Sequence, residues 1–149
     1  MIQQLIDISI KAGNAILEIY KQDFNVELKS DNSPLTIADK MANEIIVDGL
    51  KKIDSSIPII SEETKLTSYD ERVHWTSCWM VDPLDGTKEF IKKNGEFTVN
   101  IALIKNGIPV LGIVHVPAQQ ITYFAALGKG SFKIENNIQL PLTIRKLAN

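Results

Sequence analysis

Only one cysteine, Cys78, occurs in the 149 residues, which excludes an internal disulfide framework and suits a reducing compartment. Cys78 sits in an apolar stretch and reads as an inert core thiol. Basic residues are not in excess: 16 Lys and Arg against 18 Asp and Glu give a net charge of −2. That balance excludes the basic field which holds a nucleic acid polymer through counterion release, though a small phosphorylated ligand remains compatible with it, because a metal supplies positive charge locally. Met1-Ile2-Gln3-Gln4 lacks the basic start of a secretory signal. The longest apolar stretch, Ile108 to Val116, is interrupted by Pro109 and Gly112 and is too short to span a bilayer. The chain therefore reads as cytoplasmic. It has no repeat and no low-complexity segment. His74 and His115 have no metal-ligand spacing and read as surface or core groups, and Trp75 and Trp79 read as core.

What is present is one domain's worth of chain, residues 1–149, with 44% hydrophobic residues to fill a core. Ile2, Leu5, Ile6, Ala12, Ile16, Ile19 and Tyr20 recur at helical spacing and predict a helix from residue 2 to about 21. Asn32-Ser33-Pro34 marks a turn. A second helix is predicted from about Thr36 to Ile53, with Ala38, Met41, Ala42, Ile45, Leu50 and Ile53 as its apolar stripe. Short strands are expected at Pro58 to Ser61 and at Cys78 to Val81, the second ending at Asp82. Asn106-Gly107 is a strong hairpin signal between strands Phe97–Lys105 and Ile108–Val116. Further strands are expected near Gln120 to Ala125 and Ser131 to Ile134, with Gly128 and Gly130 at the turn. Two helices, two strands and an antiparallel meander make an α+β fold, the helices packed on a largely antiparallel sheet. In Val110-Leu111-Gly112-Ile113-Val114 neither alternating face is polar, so a strand covered on both sides is expected. The two helices account for one cover only.

The chemistry is concentrated in acids at strand ends. Asp82 and Asp85 flank Pro83-Leu84 and precede Gly86-Thr87. An isolated Asp-Pro or Asp-Gly pair is ordinary turn chemistry. Here an apolar strand empties into a run of special-purpose residues: carboxylates for a hard cation, a proline that enforces extended backbone before it, and a glycine free of side-chain constraint. A helix starting near Thr87 would add free N–H groups facing an anion. Glu62-Glu63 follows Pro58-Ile59-Ile60-Ser61 in the same manner, either as a solvated loop or as a carboxylate completing a metal shell with Asp82. Thr36 to Asp39 has capping-box spacing, so Asp39 taken alone reads as a helix-start acid. Lys29 and Asp31 are by themselves a polar loop.

Trp79-Met80-Val81-Asp82-Pro83-Leu84-Asp85-Gly86-Thr87 resembles the first signature of the inositol monophosphatase superfamily. Lys88-Glu89-Phe90-Ile91 and Asn94 to Ile104 look like its bacterial 3'(2'),5'-bisphosphate nucleotidase branch, the CysQ type. Asp31 to Asp39 and Ser61-Glu62-Glu63 match that branch in order and spacing. The resemblance implies the N-terminal half of an αβαβα sandwich and a site of two or three magnesium ions. Glu63, Asp82 and the Leu84 carbonyl would hold one ion, and Asp82 and Asp85 a second. Gly86 and Thr87 would present N–H groups to the phosphate, with Glu63 and Asp85 also at the substrate. Asp39 with the Thr87 hydroxyl would act as proton acceptor, and Lys29 would contact the substrate phosphate or adjust metal binding. The implied reaction is hydrolysis of the 3'-phosphate of adenosine 3',5'-bisphosphate to AMP and phosphate, a step in recycling a by-product of sulfur assimilation. Magnesium dependence, lithium inhibition and a cytoplasmic or peripheral inner-membrane location come with the resemblance.

The superfamily continues into a second α/β domain with a Trp-Asp signature that supplies a further metal ligand, and residues 1–149 contain no such signature. The chain is therefore expected to be an N-terminal portion. It would be either an active phosphatase, its sheet covered by a separate C-terminal polypeptide or a dimer partner, or a folded, inactive remnant that binds magnesium weakly. Inositol monophosphate and other sugar phosphates are alternative substrates on the same metal turn.

Overall fold

The computed structural model describes residues 1–22, 34–65 and 67–144. Helix α1 (Ile2–Tyr20) and helix α2 (Pro34–Ile53) lie side by side. Leu5, Ile6, Ala12 and Ile16 of α1 and Ala38, Ala42, Ile46 and Leu50 of α2 are buried, each set a stripe at helical spacing. Gly49 lets the helices approach, since a Cβ there would lie 2.7 Å from Ile8. The predicted start of α2 is corrected: Pro34 is the first described helical residue, so Thr36 is inside the helix and Asp39 lies beyond the first turn. The proline suits that position because its missing N–H would be unpaired there in any case. The Asn32-Ser33 turn lies outside the described residues.

The strands are β1 (Ile59–Ser61), β2 (Ser77–Asp85), β3 (Thr98–Lys105), β4 (Ile108–Val116), β5 (Ile121–Ala126), β6 (Gly130–Glu135) and β7 (Ile138–Pro141). Short helices α3 (Tyr69–Arg72) and α4 (Thr87–Ile91) and a 3-10 turn at Pro117–Gln119 complete the described elements. The strands form one sheet in sequence order, β1 parallel to β2 and every later pair antiparallel. Asn106-Gly107 makes the expected hairpin, with φ of 49° and 75°. Asn136-Asn137, at 51° and 61°, makes a second one that adds β7.

Both helices pack on one face of the sheet, α1 over β3 and β4 and α2 over β2. Trp79, Val81, Val99, Ile101, Leu103, Leu111, Ile113 and Phe124 point into that core. Tyr20, Phe90 and Phe97 meet at ring-centroid separations of 4.9–5.5 Å, which anchors α4 to the end of α1 and the start of β3. The opposite face is open. Across it Ile60, Met80, Ala102, Gly112 and Ala125 stand in one row, with Met80 49% and Val114 40% exposed. Of the two covers expected for β4, the described residues provide one. Cys78 is only half-buried, short of the expected core position, and burial raises its thiol pKa. Trp79 and His115 are buried, Trp75 is half-buried and His74 is exposed. No helix among the described residues is long and apolar enough to cross a membrane.

Candidate metal and phosphate site

Asp82 and Asp85 are three residues apart in one strand, and in regular β-structure that spacing sends side chains to opposite faces. Strand β2 is not regular there. Asp82 pairs with Asn100 and Asp85 with Thr98, so four residues of β2 span three of β3. This β-bulge at Pro83-Leu84 resets the alternation and returns Asp85 to the face of Asp82. Proline tolerates a bulge because it has no N–H to lose from the ladder. The expectation that the strand ends at Asp82 is thus corrected: it continues, bulged, to Asp85. Leu84 is buried, which fixes the turn on the core side, and its backbone N–H lowers the pKa of Asp82.

Gly86 follows with φ of 93° and caps α4. A Cβ at Gly86 would meet the Glu96 carbonyl at 2.9 Å, so the left-handed conformation and the close approach both require glycine. Thr87, exposed, opens α4 beside Asp85.

Parallel pairing of β1 with β2, Ser61 opposite Val81, brings the two strand ends together. Glu62 N–H donates to the Val81 carbonyl at 3.3 Å, and Glu63 N–H donates to the Ser61 hydroxyl at 3.3 Å. That hydroxyl in turn donates to Asn43 Oδ1 at 2.6 Å. Asn43 sits one helical turn after Asp39, so α2 turns the same face, with both residues, toward the end of β1.

Asp39, read alone as a helix-start acid, instead interacts with Glu63. Burial, then Glu63, Asp82 and Glu62, push its pKa up to about 8. Asp82 is raised to about 6 by burial and by Asp85, Glu62 and Glu63, against the opposing Leu84 N–H. Among the described residues, every side chain that shifts these two groups is acidic. Asp39 Oδ1, Asp82 Oδ1 and Asn100 Oδ1 are buried without a hydrogen-bond partner among the described residues. Unpaired oxygens and uncompensated like charge are costly in a protein interior. They are also the donor set that a hard divalent cation takes, so the residues fit magnesium.

Among the described residues, no three Asp, Glu, His or Cys side chains are already gathered closely enough to close around an ion. The electrostatic coupling nevertheless links five acids, Asp39, Glu62, Glu63, Asp82 and Asp85. The two facts agree physically, because coupling acts across several ångströms whereas ligands must converge to about 2.0–2.6 Å of one point. Lys29 lies outside the described residues.

A groove of about 510 Å³ on the open face runs past Glu62, Asp82 and Asn100 onto Met80, Gly112 and Val114. A second, of about 460 Å³ between α1 and α2, is lined by Asp7, Lys11, Glu44 and Asp48 and contains none of the five acids.

Asn43 and Asn100 escaped the sequence reading. Asn100 carried a signal, a polar amide within the otherwise apolar Val99-Asn100-Ile101-Ala102-Leu103-Ile104. Asn43 carried none beyond its helical spacing from Asp39.

The profile of the Inositol monophosphatase family matches residues 1–146. The Escherichia coli protein named 3'(2'),5'-bisphosphate nucleotidase CysQ is 46% identical over 147 residues, 97% of this chain and 59% of that protein. The Buchnera aphidicola protein of the same name is 47% identical over 129 residues, 84% of this chain and 48% of its own. The crystal structure of CysQ from Bacteroides thetaiotaomicron superposes with a TM-score of 0.82 at 46% identity, covering 97% of this chain and 52% of that one. The chain thus spans between about half and three-fifths of these relatives' length.

Proposed function

The chain belongs to the inositol monophosphatase family, and we propose that its coupled acids are the cation and phosphate seat of a phosphomonoesterase for the 3'-phosphate of adenosine 3',5'-bisphosphate. One observation carries the proposal. The bulge turns Asp82 and Asp85 to one face, near Asp39 and Glu63, and among the described residues buried oxygens of Asp39 and Asp82 have no partner and no cationic side chain shifts either group. The nucleotide substrate is supported by the names of the relatives, which are 45–47% identical in Escherichia coli and Buchnera.

In this reading Glu63, Asp82 and the Leu84 carbonyl would hold one magnesium ion, and Asp82 and Asp85 a second. The cation supplies Lewis-acid charge to the phosphoryl group. Gly86 and Thr87 offer backbone N–H groups to the phosphate, held in place by the left-handed Gly86 and the buried Phe90. Glu63 and Asp85 border the bound substrate, and Lys29 would contact its phosphate or adjust metal binding. Asp39 and the Thr87 hydroxyl orient the attacking water, and Asp39 accepts its proton.

The open apolar face favours a second reading, in which this chain folds and binds magnesium but does not turn over alone. We propose that in the functional protein this face is covered by further structure of the kind the remaining length of the relatives provides, whether in one chain, as a separate C-terminal polypeptide or through a second copy. The deciding experiment is phosphate release from adenosine 3',5'-bisphosphate by the purified chain with magnesium. Turnover that disappears in Asp82→Asn supports the enzyme. Absence of turnover together with Mg²⁺-dependent thermal stabilisation supports the binding-only reading, and absence of both rejects the site. Rates on inositol monophosphate alongside would rank the substrates.

A further inference from the structure

Asn100 is an unusual residue for its position. It lies in the middle of β3, between the buried Val99 and Ile101, where asparagine is disfavoured and a β-branched residue packs better. Its neighbours on the open face are Ala102, Gly112 and Val114. Its Oδ1 is buried with no partner among the described residues, a cost that an apolar side chain would not carry. Its Nδ2 is engaged: it donates to Asp85 Oδ2 at 3.1 Å. The bulge makes that bond available, because Asn100 is paired at Cα with Asp82 yet reaches the next acid along.

We propose that Asn100 is a positioning residue for the cation seat, its amide presetting the Asp85 carboxylate beside Asp82. The proposal rests on the reading of Asp82 and Asp85 as that seat. An amide is suited to the task in a way a lysine is not. It orients the carboxylate through one oxygen and leaves the other for a ligand, without bringing a positive charge that would compete with the ion. The orientation of the amide follows from the chemistry, since Oδ1 turned toward Asp85 would oppose two acceptors.

The test is Mn²⁺ binding to the whole chain, with Mn²⁺ standing in for Mg²⁺ and free ion read from its electron paramagnetic resonance signal. Thermal unfolding without metal is followed in parallel. Asn100→Leu is expected to weaken Mn²⁺ binding by about tenfold, the scale seen when a residue orienting a ligand is lost, with metal-free stability unchanged or higher. Asn100→Gln, which keeps the amide, is expected to recover most of the affinity. Asn100→Leu binding as tightly as the wild type would overturn the proposal. Tighter binding by Asn100→Asp would also overturn it, by showing that the residue ligates the ion directly. Failure of the wild-type chain itself to bind Mn²⁺ would reject the cation seat, a result separable from either variant's behaviour.

Discussion

Gly13 of α1 leaves the space that the His115 imidazole of β4 occupies. A Cβ built on Gly13 would lie 2.7 Å from His115 Cδ2, 2.9 Å from its Nε2 and 3.0 Å from Pro117 Cγ. The helix therefore seats on the sheet through a glycine, although alanine is the better helix former by about 1 kcal/mol. The helix face has no room for a methyl group, because both opposing groups are held. His115 is fixed by a 2.9 Å hydrogen bond between Nδ1 and the Thr122 hydroxyl, and Pro117 by its ring.

Gly13→Ala is accordingly expected to destabilise the protein by roughly 1–3 kcal/mol, the overpacking cost exceeding the gain in propensity. Urea denaturation would check the sign. A more stable Gly13→Ala would show that α1 slides freely over β4.

Burial also sets a pH dependence at His115. The imidazole is 1% exposed, and its pKa is lowered to about 4 from the ordinary 6.5 by desolvation. A histidine depressed in the folded state binds fewer protons there than in the unfolded chain between those values. Its contribution is intact above about 6.5 and is lost as pH falls toward 4, by something on the order of 2–3 kcal/mol. His115→Gln should flatten the acid limb of a stability–pH curve between those limits. An unchanged limb would assign acid sensitivity elsewhere.

Local signals in the chain were legible, and tertiary ones were not. Asn106-Gly107 announces its hairpin because a mirror-image turn with φ of 49° and 75° depends on those two residues alone. Asn136-Asn137 makes the same turn without the glycine that advertises it, so β7 went unseen. The stripe of α2 was visible, but Thr36 and Asp39 mimicked a capping box inside a helix already begun at Pro34. The role of Asp39 depends on Glu63, 24 positions later, and no periodicity within α2 encodes that meeting. Pro83 hinted at irregularity in β2. The consequence of the bulge, two acids on one face, needs the register against Thr98 and Asn100.

Without metal, the coupled acids should oppose folding as they ionise. Asp82 and Asp39 have pKa values raised to about 6 and about 8 from the ordinary 3.8. For groups raised in the folded state, stability is fully present below the unfolded value and is lost as pH rises through the folded ones. The chelator-treated protein is therefore expected to lose stability as pH rises from about 4 to about 8 on account of these groups, and magnesium to restore it. Asp82→Asn should unfold at a higher temperature than the wild type in chelator at pH 8 and respond little to magnesium. An Asp82→Asn protein stabilised by magnesium as strongly as the wild type would remove Asp82 from the site.

The two glycines Gly86 and Gly107 separate conformational cost from collision. Both are left-handed, at φ of 93° and 75°. A Cβ on Gly107 meets nothing within 4 Å, whereas one on Gly86 meets the Glu96 carbonyl at 2.9 Å and Phe97 Cα at 3.2 Å. Gly107→Ala should cost only the left-handed penalty, roughly 1–2 kcal/mol, with Mn²⁺ affinity untouched. Gly86→Ala carries that penalty and must also push β3 and α4 apart, because the obstacle is backbone and cannot rotate away. Its stability loss should exceed that of Gly107→Ala, and its Mn²⁺ affinity should fall, since Asp85 is the residue immediately before it. Equal losses in the two variants, with affinity retained in both, would mean that the turn from Asp85 into α4 is free to shift and does not hold the acids in register.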